Sequence, residues 1–162
     1  MRIGLGSDHV GFLLKERVRA HCGTRGIPVS DFGAYSETPT DYPDIAVVVG
    51  EAVRQGAVDR AVLVCGTGLG MAIAASKLPG VYAAPVCDVE TARSARASNN
   101  TQIITLGARN VPADLACAIV DAWLHTEFRG GRSARKVAKI AAIERRYLQG
   151  TQVDWQSRSW AC

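Results

Sequence analysis

The fold is decided by the stretch AVLVCGTGLGM, residues 61–71. Its first half is apolar at every position, which is typical of a central strand in a parallel sheet that helices cover on both faces. Its second half is rich in glycine and leads into another apolar run, as a strand-to-helix connection does. We therefore expect a buried strand that ends at Cys65, a glycine loop over Gly66–Gly70 and a helix near Met71–Lys77.

Strand-like and helix-like segments alternate on both sides of this stretch. The other predicted strands are Arg2–Gly6, Val29–Phe32, Val81–Val86 and Ile103–Leu106, and the other predicted helices are Gly11–Arg25, Ile45–Arg54, Val89–Ala97, Pro112–His125 and Ser133–Leu148, the last with Ser133 as its N-cap. Repeated strand–helix units with short connections imply a parallel sheet between two layers of helices. We predict an α/β protein with a mainly parallel five-stranded sheet in a Rossmann-like three-layer αβα sandwich, as one domain over residues 1–150 followed by a tail over 151–162.

The composition excludes several classes of protein. The chain has 162 residues, of which 48% are hydrophobic and 21% charged, and this is ordinary globular usage rather than that of a disordered protein. No apolar run approaches the roughly 20 residues that a membrane-spanning helix needs. The first residues hold no apolar signal-peptide core, so we expect a cytoplasmic protein. The five cysteines lack a C-x-x-C pair, which argues against a disulfide framework and a zinc site.

Cys65 and the glycine loop form the first candidate site. Glycines let the backbone turn sharply and present N–H groups to an anion, next to the start of a helix. A thiol at that place is favoured as a thiolate, which is the reactive form. The same loop is compatible with a nucleotide-binding Rossmann-like domain, although a dinucleotide motif needs glycine where Met71 stands. The residues alone leave both interpretations open, and Cys65 also fits a buried structural position.

The C-terminal part of the chain is strongly basic. Residues 129–146 contribute +6 to a total net charge of +4. Arg132, Lys136 and Lys139 follow each other at helical spacing, so one face of the last predicted helix carries all three. Such a face suits a small phosphate or a nucleic acid. Nucleic-acid sites interleave aromatic residues with the charge, and only Tyr147 is close here, so we expect no nucleic-acid partner.

Seven short motifs stand in an order that is typical of one enzyme family. They are Gly6–Gly11, Thr40–Pro43, Cys65–Gly70, Ala74–Lys77, Asn99-Asn100, Gly107–Arg109 and Gly130–Arg132. By these motifs the chain resembles the ribose-5-phosphate isomerase B family, which also holds galactose-6-phosphate and tetrose-phosphate isomerases, over residues 1 to about 148. The resemblance implies an aldose–ketose isomerase of phosphorylated sugars without cofactor or metal. It also implies a homodimer or tetramer whose active sites lie at the subunit interface, reached by the last helix.

The resemblance assigns roles in catalysis. Cys65 would be the base that moves one proton between adjacent carbons through an enediolate, whereas other members lack this cysteine and have glutamate at the position of Met71. Thr67 would pass a proton between the two oxygens, and Asn99 would hydrogen-bond the same oxygens. Asp8 would order the sugar hydroxyls. A single base and an oxyanion site suffice for this reaction.

The resemblance also assigns roles in substrate binding. The backbone N–H groups of Gly66, Gly68 and Gly70 would stabilise the enediolate oxygen. The phosphate would be bound by His9, Arg109, Arg132 and Lys136, and Tyr42 would wall the pocket. The family usually has arginine at position 136, and lysine keeps the charge while losing the bidentate geometry.

Ser98 is the departure from the family pattern that bears on the substrate. Members that act on ribose 5-phosphate usually carry a histidine there, which is assigned to opening the sugar ring, and position 133 is also often histidine rather than Ser133. The run Ser98-Asn99-Asn100 resembles that of members which isomerise tetrose 4-phosphates. We therefore expect a tetrose 4-phosphate (erythrose or erythrulose 4-phosphate) as the preferred substrate, with ribose 5-phosphate and ribulose 5-phosphate as the other candidate pair.

Overall fold

The computed structural model describes residues 1–150, which fold into five strands and six helices. The strands are β1 (Ile3–Ser7), β2 (Val29–Asp31), β3 (Arg60–Cys65), β4 (Ala83–Pro85) and β5 (Ile103–Gly107). The helices are α1 (Phe12–Thr24), α2 (Tyr42–Arg54), α3 (Leu69–Ala75), α4 (Val89–Asn99), α5 (Ala113–Leu124) and α6 (Arg132–Leu148). None of these helices is long and apolar enough to cross a membrane. The predicted tail over 151–162 lies outside the described residues.

The strands form one sheet in the order β2-β1-β3-β5-β4, and every neighbouring pair is parallel. This confirms the predicted α/β sandwich, with a sheet that is wholly rather than mainly parallel. Ser7 is paired with Val64, and Cys65 with Gly107, so the carboxyl ends of β1, β3 and β5 lie side by side. Parallel sheets of this kind bind ligands beyond the carboxyl ends of their strands.

The two faces of the sheet carry separate hydrophobic cores. Helices α1, α4 and α5 cover one face, where Trp123 of α5 is fully buried, and α2 and α3 cover the other. Side chains alternate along a strand, so Val62 and Val64 of β3 enter the first core while Leu63 and Cys65 enter the second. Cys65 therefore faces α2 and α3 at the carboxyl end of the central strand.

Several boundaries differ from the sequence-based expectation. Helix α2 begins at Tyr42 rather than Ile45, because Pro43 is accepted in the first turn of a helix. Strand β4 is limited to Ala83–Pro85. The prediction that Ser133 caps the last helix was wrong: the helix begins at Arg132, and the Ser133 N–H already donates to the carbonyl of Gly130 at 3.1 Å. The sharp turn that precedes α6 uses backbone conformations that glycine adopts easily.

Helix α6 lies along the amino-terminal edge of the sheet and buries none of its residues. Near its start, the Arg129 N–H donates to the Ala97 carbonyl of α4 at 3.0 Å. Near its end, Glu144 Oε2 accepts from the Gly80 N–H at 2.9 Å, just before β4. Gly80 lies just before a strand, and Ala97 lies near the end of α4, a helix that runs antiparallel to the strands. Both anchors are therefore at the amino-terminal ends of the strands, so α6 runs at the end of the sheet opposite to Cys65.

Candidate active site

The Cys65 thiol is held by the glycine loop that follows it. Its side chain is buried, and Sγ accepts a hydrogen bond from the Gly68 N–H at 3.2 Å. Gly68 has φ +81°, in the left-handed region that glycine adopts without strain. Its carbonyl accepts from Thr105 Oγ1 at 2.7 Å, which ties the loop to β5. The hydrogen bond from the Gly68 N–H fixes the sulfur at the head of the glycine loop.

Other buried cysteines lack this environment. Burial, together with the nearby Asp121 carboxylate, raises the pKa of the Cys22 thiol to about 11. Burial also raises the pKa of Cys117. Both thiols lie in or beside the first core, away from the glycine loop, and stay protonated at neutral pH. Among the described buried cysteines, Cys65 is the one with an amide donor on its sulfur.

Two side chains enclose the glycine loop. A β-carbon at Gly66 would lie 3.4 Å from Cζ of Arg109, and one at Gly70 would lie 2.6 Å from Cζ of Tyr42. The second distance is shorter than real contacts allow, so Tyr42 can cover the loop only because position 70 has no side chain. The predicted wall residue and one predicted phosphate ligand therefore lie on either side of the loop that follows Cys65.

The loop amides differ in what they contact. The Gly68 N–H is engaged by the thiol, and the Leu69 N–H donates to Thr67 Oγ1 at 3.4 Å. Within residues 1–150, the N–H groups of Thr67 and Gly70 have no acceptor. Free amides at the start of a helix are suited to an anionic oxygen. Of the three glycine amides expected to bind an enediolate, that of Gly68 is already occupied.

Asp8 has a structural partner in the loop after β1. Its side chain is almost wholly buried, and Oδ1 accepts from the Gly11 N–H at 2.8 Å, just before α1. Gly11 packs so closely on β3 that a β-carbon there would lie 2.4 Å from the Val64 carbonyl oxygen. One carboxylate oxygen is thus committed to the fold, and Oδ2 is the one that remains for a ligand.

His9 is half-buried beside Asp8 and is oriented by main chain from the next loop. Its Nδ1 lies 3.2 Å from the Thr40 nitrogen and 3.3 Å from the Thr40 oxygen. Apart from the motif that contains Thr40, no sequence pattern predicts this contact. Likewise, Thr105 could be noticed only as a polar residue in an otherwise apolar strand, and its hydrogen bond to the Gly68 carbonyl was missed.

Three predicted site residues lie at the opposite edge of the sheet. Asn99 ends α4, and Arg132 and Lys136 stand in the first turns of α6. Strand β5 separates the Asn99 end from the Cys65 end, and its five residues span about 13 Å. A single chain therefore brings Cys65, Thr67, Asp8, His9, Tyr42 and Arg109 together, but not these three.

An apolar groove of about 670 Å³ also lies at this amino-terminal edge. It runs between α6 and the segment before β4, and it is lined by Asn99 together with Ile140, Ile143 and Tyr147 of α6. These three α6 side chains are exposed in the single chain. The groove is thus distinct in place and character from the polar loops around Cys65.

Comparison with known proteins gives consistent matches over most of the chain. The family described as Ribose/Galactose Isomerase matches residues 3–140. Ribose-5-phosphate isomerase B of Escherichia coli (strain K12) is 44% identical over 145 residues, which are 90% of this chain and 97% of that protein. D-erythrulose-4-phosphate isomerase of Pectobacterium atrosepticum is 42% identical over 148 residues, covering 89% and 95% of the two chains.

A solved structure agrees with the fold as well. Ribose-5-phosphate isomerase B of Clostridium thermocellum superposes with a TM-score of 0.89 and is 48% identical, over 91% of this chain and 99% of that one. The family match over residues 3–140 includes all five strands and the glycine loop. The chain therefore belongs to the Ribose/Galactose Isomerase family, whose members are aldose–ketose isomerases of sugar phosphates.

Proposed function

We propose that this isomerase uses Cys65 as its base, binds its substrate between two copies of the chain and prefers a tetrose 4-phosphate. The observation that carries the proposal is the Gly68 N–H on Cys65 Sγ, at the head of a loop that also has free amides. Family membership favours this over the nucleotide-binding alternative. The cytoplasmic location remains a prediction.

The proposed chemistry moves one proton. The Cys65 thiolate takes the proton from the carbon next to the carbonyl, and the carbonyl becomes one oxygen of an enediolate. The thiol then returns the proton to the former carbonyl carbon, while the Thr67 hydroxyl passes the hydroxyl proton from one oxygen to the other. The Thr67 and Gly70 amides face the developing negative charge, and such donors are worth about 3 kcal/mol each in a dry site.

We propose that the complete site needs a second copy of the chain. The support is geometric: Asn99, Arg132 and Lys136 cannot reach Cys65 of their own chain across the sheet. In a symmetric dimer, the amino-terminal edge of one copy would meet the carboxyl-terminal edge of the other. Exposed apolar residues around the α6 groove are consistent with a surface that becomes buried in such a dimer.

The phosphate would then be bound from both copies. One copy offers His9 and Arg109 beside the glycine loop, where Arg109 packs on Gly66. The other offers Arg132 and Lys136, one turn apart at the start of α6. Fixed cations around a dianion give both affinity and orientation, and this places the sugar carbons in register with the thiolate.

The preference for a tetrose follows from Ser98. An aldopentose 5-phosphate closes into a furanose through O4, and opening that ring is helped by an acid–base group. A tetrose 4-phosphate cannot close that ring, because its O4 carries the phosphate. Ser98 is exposed at the end of α4, beside Asn99, and offers no group of this kind. The relative from Pectobacterium atrosepticum is named for erythrulose 4-phosphate, which supports the same substrate class.

The test is to measure kcat/KM with D-erythrulose 4-phosphate and with ribose 5-phosphate under identical conditions. We expect the tetrose value to be higher by at least about tenfold, since general acid–base assistance is typically worth 10²–10⁴-fold. A preference for ribose 5-phosphate would overturn the substrate assignment and leave the thiolate mechanism in place. If the enzyme turned over neither of the two substrates, the proposed function would be wrong.

A further inference from the structure

The ring of His9 meets two main-chain atoms of one residue through the same nitrogen. Nδ1 lies 3.2 Å from the Thr40 nitrogen, in a geometry in which the amide hydrogen points at Nδ1, and 3.3 Å from the Thr40 oxygen. The imidazole is half-buried next to Asp8, and the contact bridges the loops that follow β1 and β2. A single residue thus offers this nitrogen both a hydrogen-bond donor and an acceptor.

The Thr40 amide hydrogen favours one tautomer of the neutral His9 ring. The amide hydrogen of Thr40 is always present, so the neutral ring avoids a clash of two hydrogens when Nδ1 is unprotonated and Nε2 carries the proton. When the ring is charged, Nδ1 also carries a hydrogen, for which the Thr40 carbonyl oxygen at 3.3 Å is an acceptor, while Nε2 keeps its own hydrogen. In both states Nε2 is a donor and has no lone pair to offer.

We propose that the main chain of Thr40 is a positioning element that holds His9 as an Nε2–H donor in its neutral and charged states. This rests on the proposed function in that His9 contacts the substrate's phosphate. His9 then serves the phosphate oxygens as a hydrogen-bond donor and cannot act there as a base. Thr40 itself touches no reacting atom and acts through the imidazole.

A His9 side chain that only donates limits the substrates that the enzyme can convert efficiently. The chain has three histidines, and the other two contact Asp121: His21 Nε2 lies 2.9 Å from Asp121 Oδ1, and His125 Nδ1 lies 2.7 Å from the backbone carbonyl oxygen of Asp121. Both sit at the ends of α1 and α5, near the edge opposite to Cys65 of the same chain. With His9 fixed as a donor, no histidine at the Cys65 end of the same chain is left as a ring-opening base, and this favours a phosphosugar that reacts in open-chain form.

The direct experiment reads the tautomer of His9 in the full-length protein without substrate. Protein labelled with ¹⁵N-histidine is examined by long-range ¹H–¹⁵N correlation at about pH 9, where histidine is normally neutral, and His21→Gln and His125→Gln variants assign the signals. We expect a pyridine-like Nδ1 and a pyrrole-like Nε2 for His9. A pyrrole-like Nδ1 with an unprotonated Nε2 would overturn the proposal.

Substitution of Thr40 tests the cause. Thr40→Pro removes the amide hydrogen and keeps the carbonyl, whereas Thr40→Val keeps both and removes only the hydroxyl, which donates to the Thr38 carbonyl at 3.0 Å. We expect Thr40→Pro to give mixed tautomers and to raise the Kd of inorganic phosphate about fivefold, the scale of one lost hydrogen bond. Thr40→Val should change neither quantity.

The outcomes separate this inference from the proposed function. If Thr40→Pro leaves the His9 tautomer unchanged, the positioning role of Thr40 is wrong. If that variant does not fold, the wild-type spectrum still tests the proposal, because it reports the tautomer directly and a pyrrole-like Nδ1 would overturn it. Neither spectrum depends on isomerase activity, so an enzyme inactive on both sugars would refute the proposed function without changing the tautomer result.

Discussion

The two ends of strand β3 show two different ways of using a polar side chain. At the carboxyl end, Cys65 is buried and its sulfur accepts from a loop that also presents free amides. At the amino end, Arg60 is also buried, and its guanidinium donates to the carbonyls of Trp123, Leu124 and Thr126 at 3.0–3.2 Å. The first arrangement leaves groups free for chemistry, whereas the second uses its donors within the fold.

The two ends of β3 differ in how many groups they leave unpartnered. The Arg60 contacts satisfy carbonyls at the end of α5 and fix the connection to α6. The same guanidinium also donates to the Glu127 carboxylate at 2.9 Å. Helix α6 then leaves its basic and apolar side chains exposed. The carboxyl edge thus presents the Cys65 thiol and free backbone amides, while the amino edge presents exposed basic and apolar side chains of α6.

The largest effect is expected from removal of the thiol. Cys65→Ala should lower kcat/KM by at least about 10³-fold, or about 4 kcal/mol, because it removes the proposed base. Steady-state kinetics on the preferred sugar phosphate would measure this. Cys87→Ala is the matched control, since that thiol is exposed and lies on another loop, and it should retain wild-type activity. Retention of more than a tenth of the activity by Cys65→Ala would exclude Cys65 as the essential base.

A second effect tests whether the two edges meet in different chains. Arg132→Ala should lower kcat/KM about 100-fold, or about 2.7 kcal/mol, by removing a phosphate contact. Mixing it with Cys65→Ala protomers should restore about a quarter of the wild-type activity, because half of the random dimers are hybrids and each hybrid has one intact site. Activity is measured after subunit exchange has been verified with tagged chains.

One outcome of the mixing experiment would contradict the shared site. If hybrids form and the activity stays at the level of the single variants, the shared site is wrong and the thiol and arginine act within one chain. A mixture of Cys65→Ala with Cys65→Ser protomers serves as the control and should recover nothing beyond its own baseline.

A third effect concerns the amino end of β3 itself. Arg60→Met should lower the free energy of unfolding by about 2 kcal/mol, because the buried α5 carbonyls lose their donor. Chemical denaturation would measure the change. Glu127→Gln is the control: Glu127 is largely exposed, so its ion pair with Arg60 should be worth less than about 1 kcal/mol. Equal losses in both variants would mean that the ion pair, and not the carbonyl contacts, anchors this edge.

The smallest effect addresses the substrate. Ser98→His should raise kcat/KM for ribose 5-phosphate about tenfold by supplying an acid–base group, and should leave the value for erythrulose 4-phosphate unchanged. The ratio of the two kcat/KM values is the measured quantity. Ser94→His, on the same helix one turn earlier, is a control for a histidine in general. An equal gain on both sugars would show that ring opening is not what Ser98 limits.

Local sequence determined much of this protein. The apolar run ending at Cys65, the glycines after it and the alternation of strands and helices follow from short-range preferences, so the α/β fold was predictable. The motifs also identified the family, and a thiol before free amides already suggested an anionic intermediate. These features were readable because each depends on neighbours within a few residues.

Only the tertiary structure decided which residues meet. The bonds from Gly68 to the thiol, from Thr105 to the loop and from Thr40 to His9 each require a particular packing of separate segments. The placement of Arg132 opposite to Cys65 depends on the direction in which α5 returns across the sheet. Spacing along the chain carries no information on such distances, since they are set by strand order and by the path of the helices.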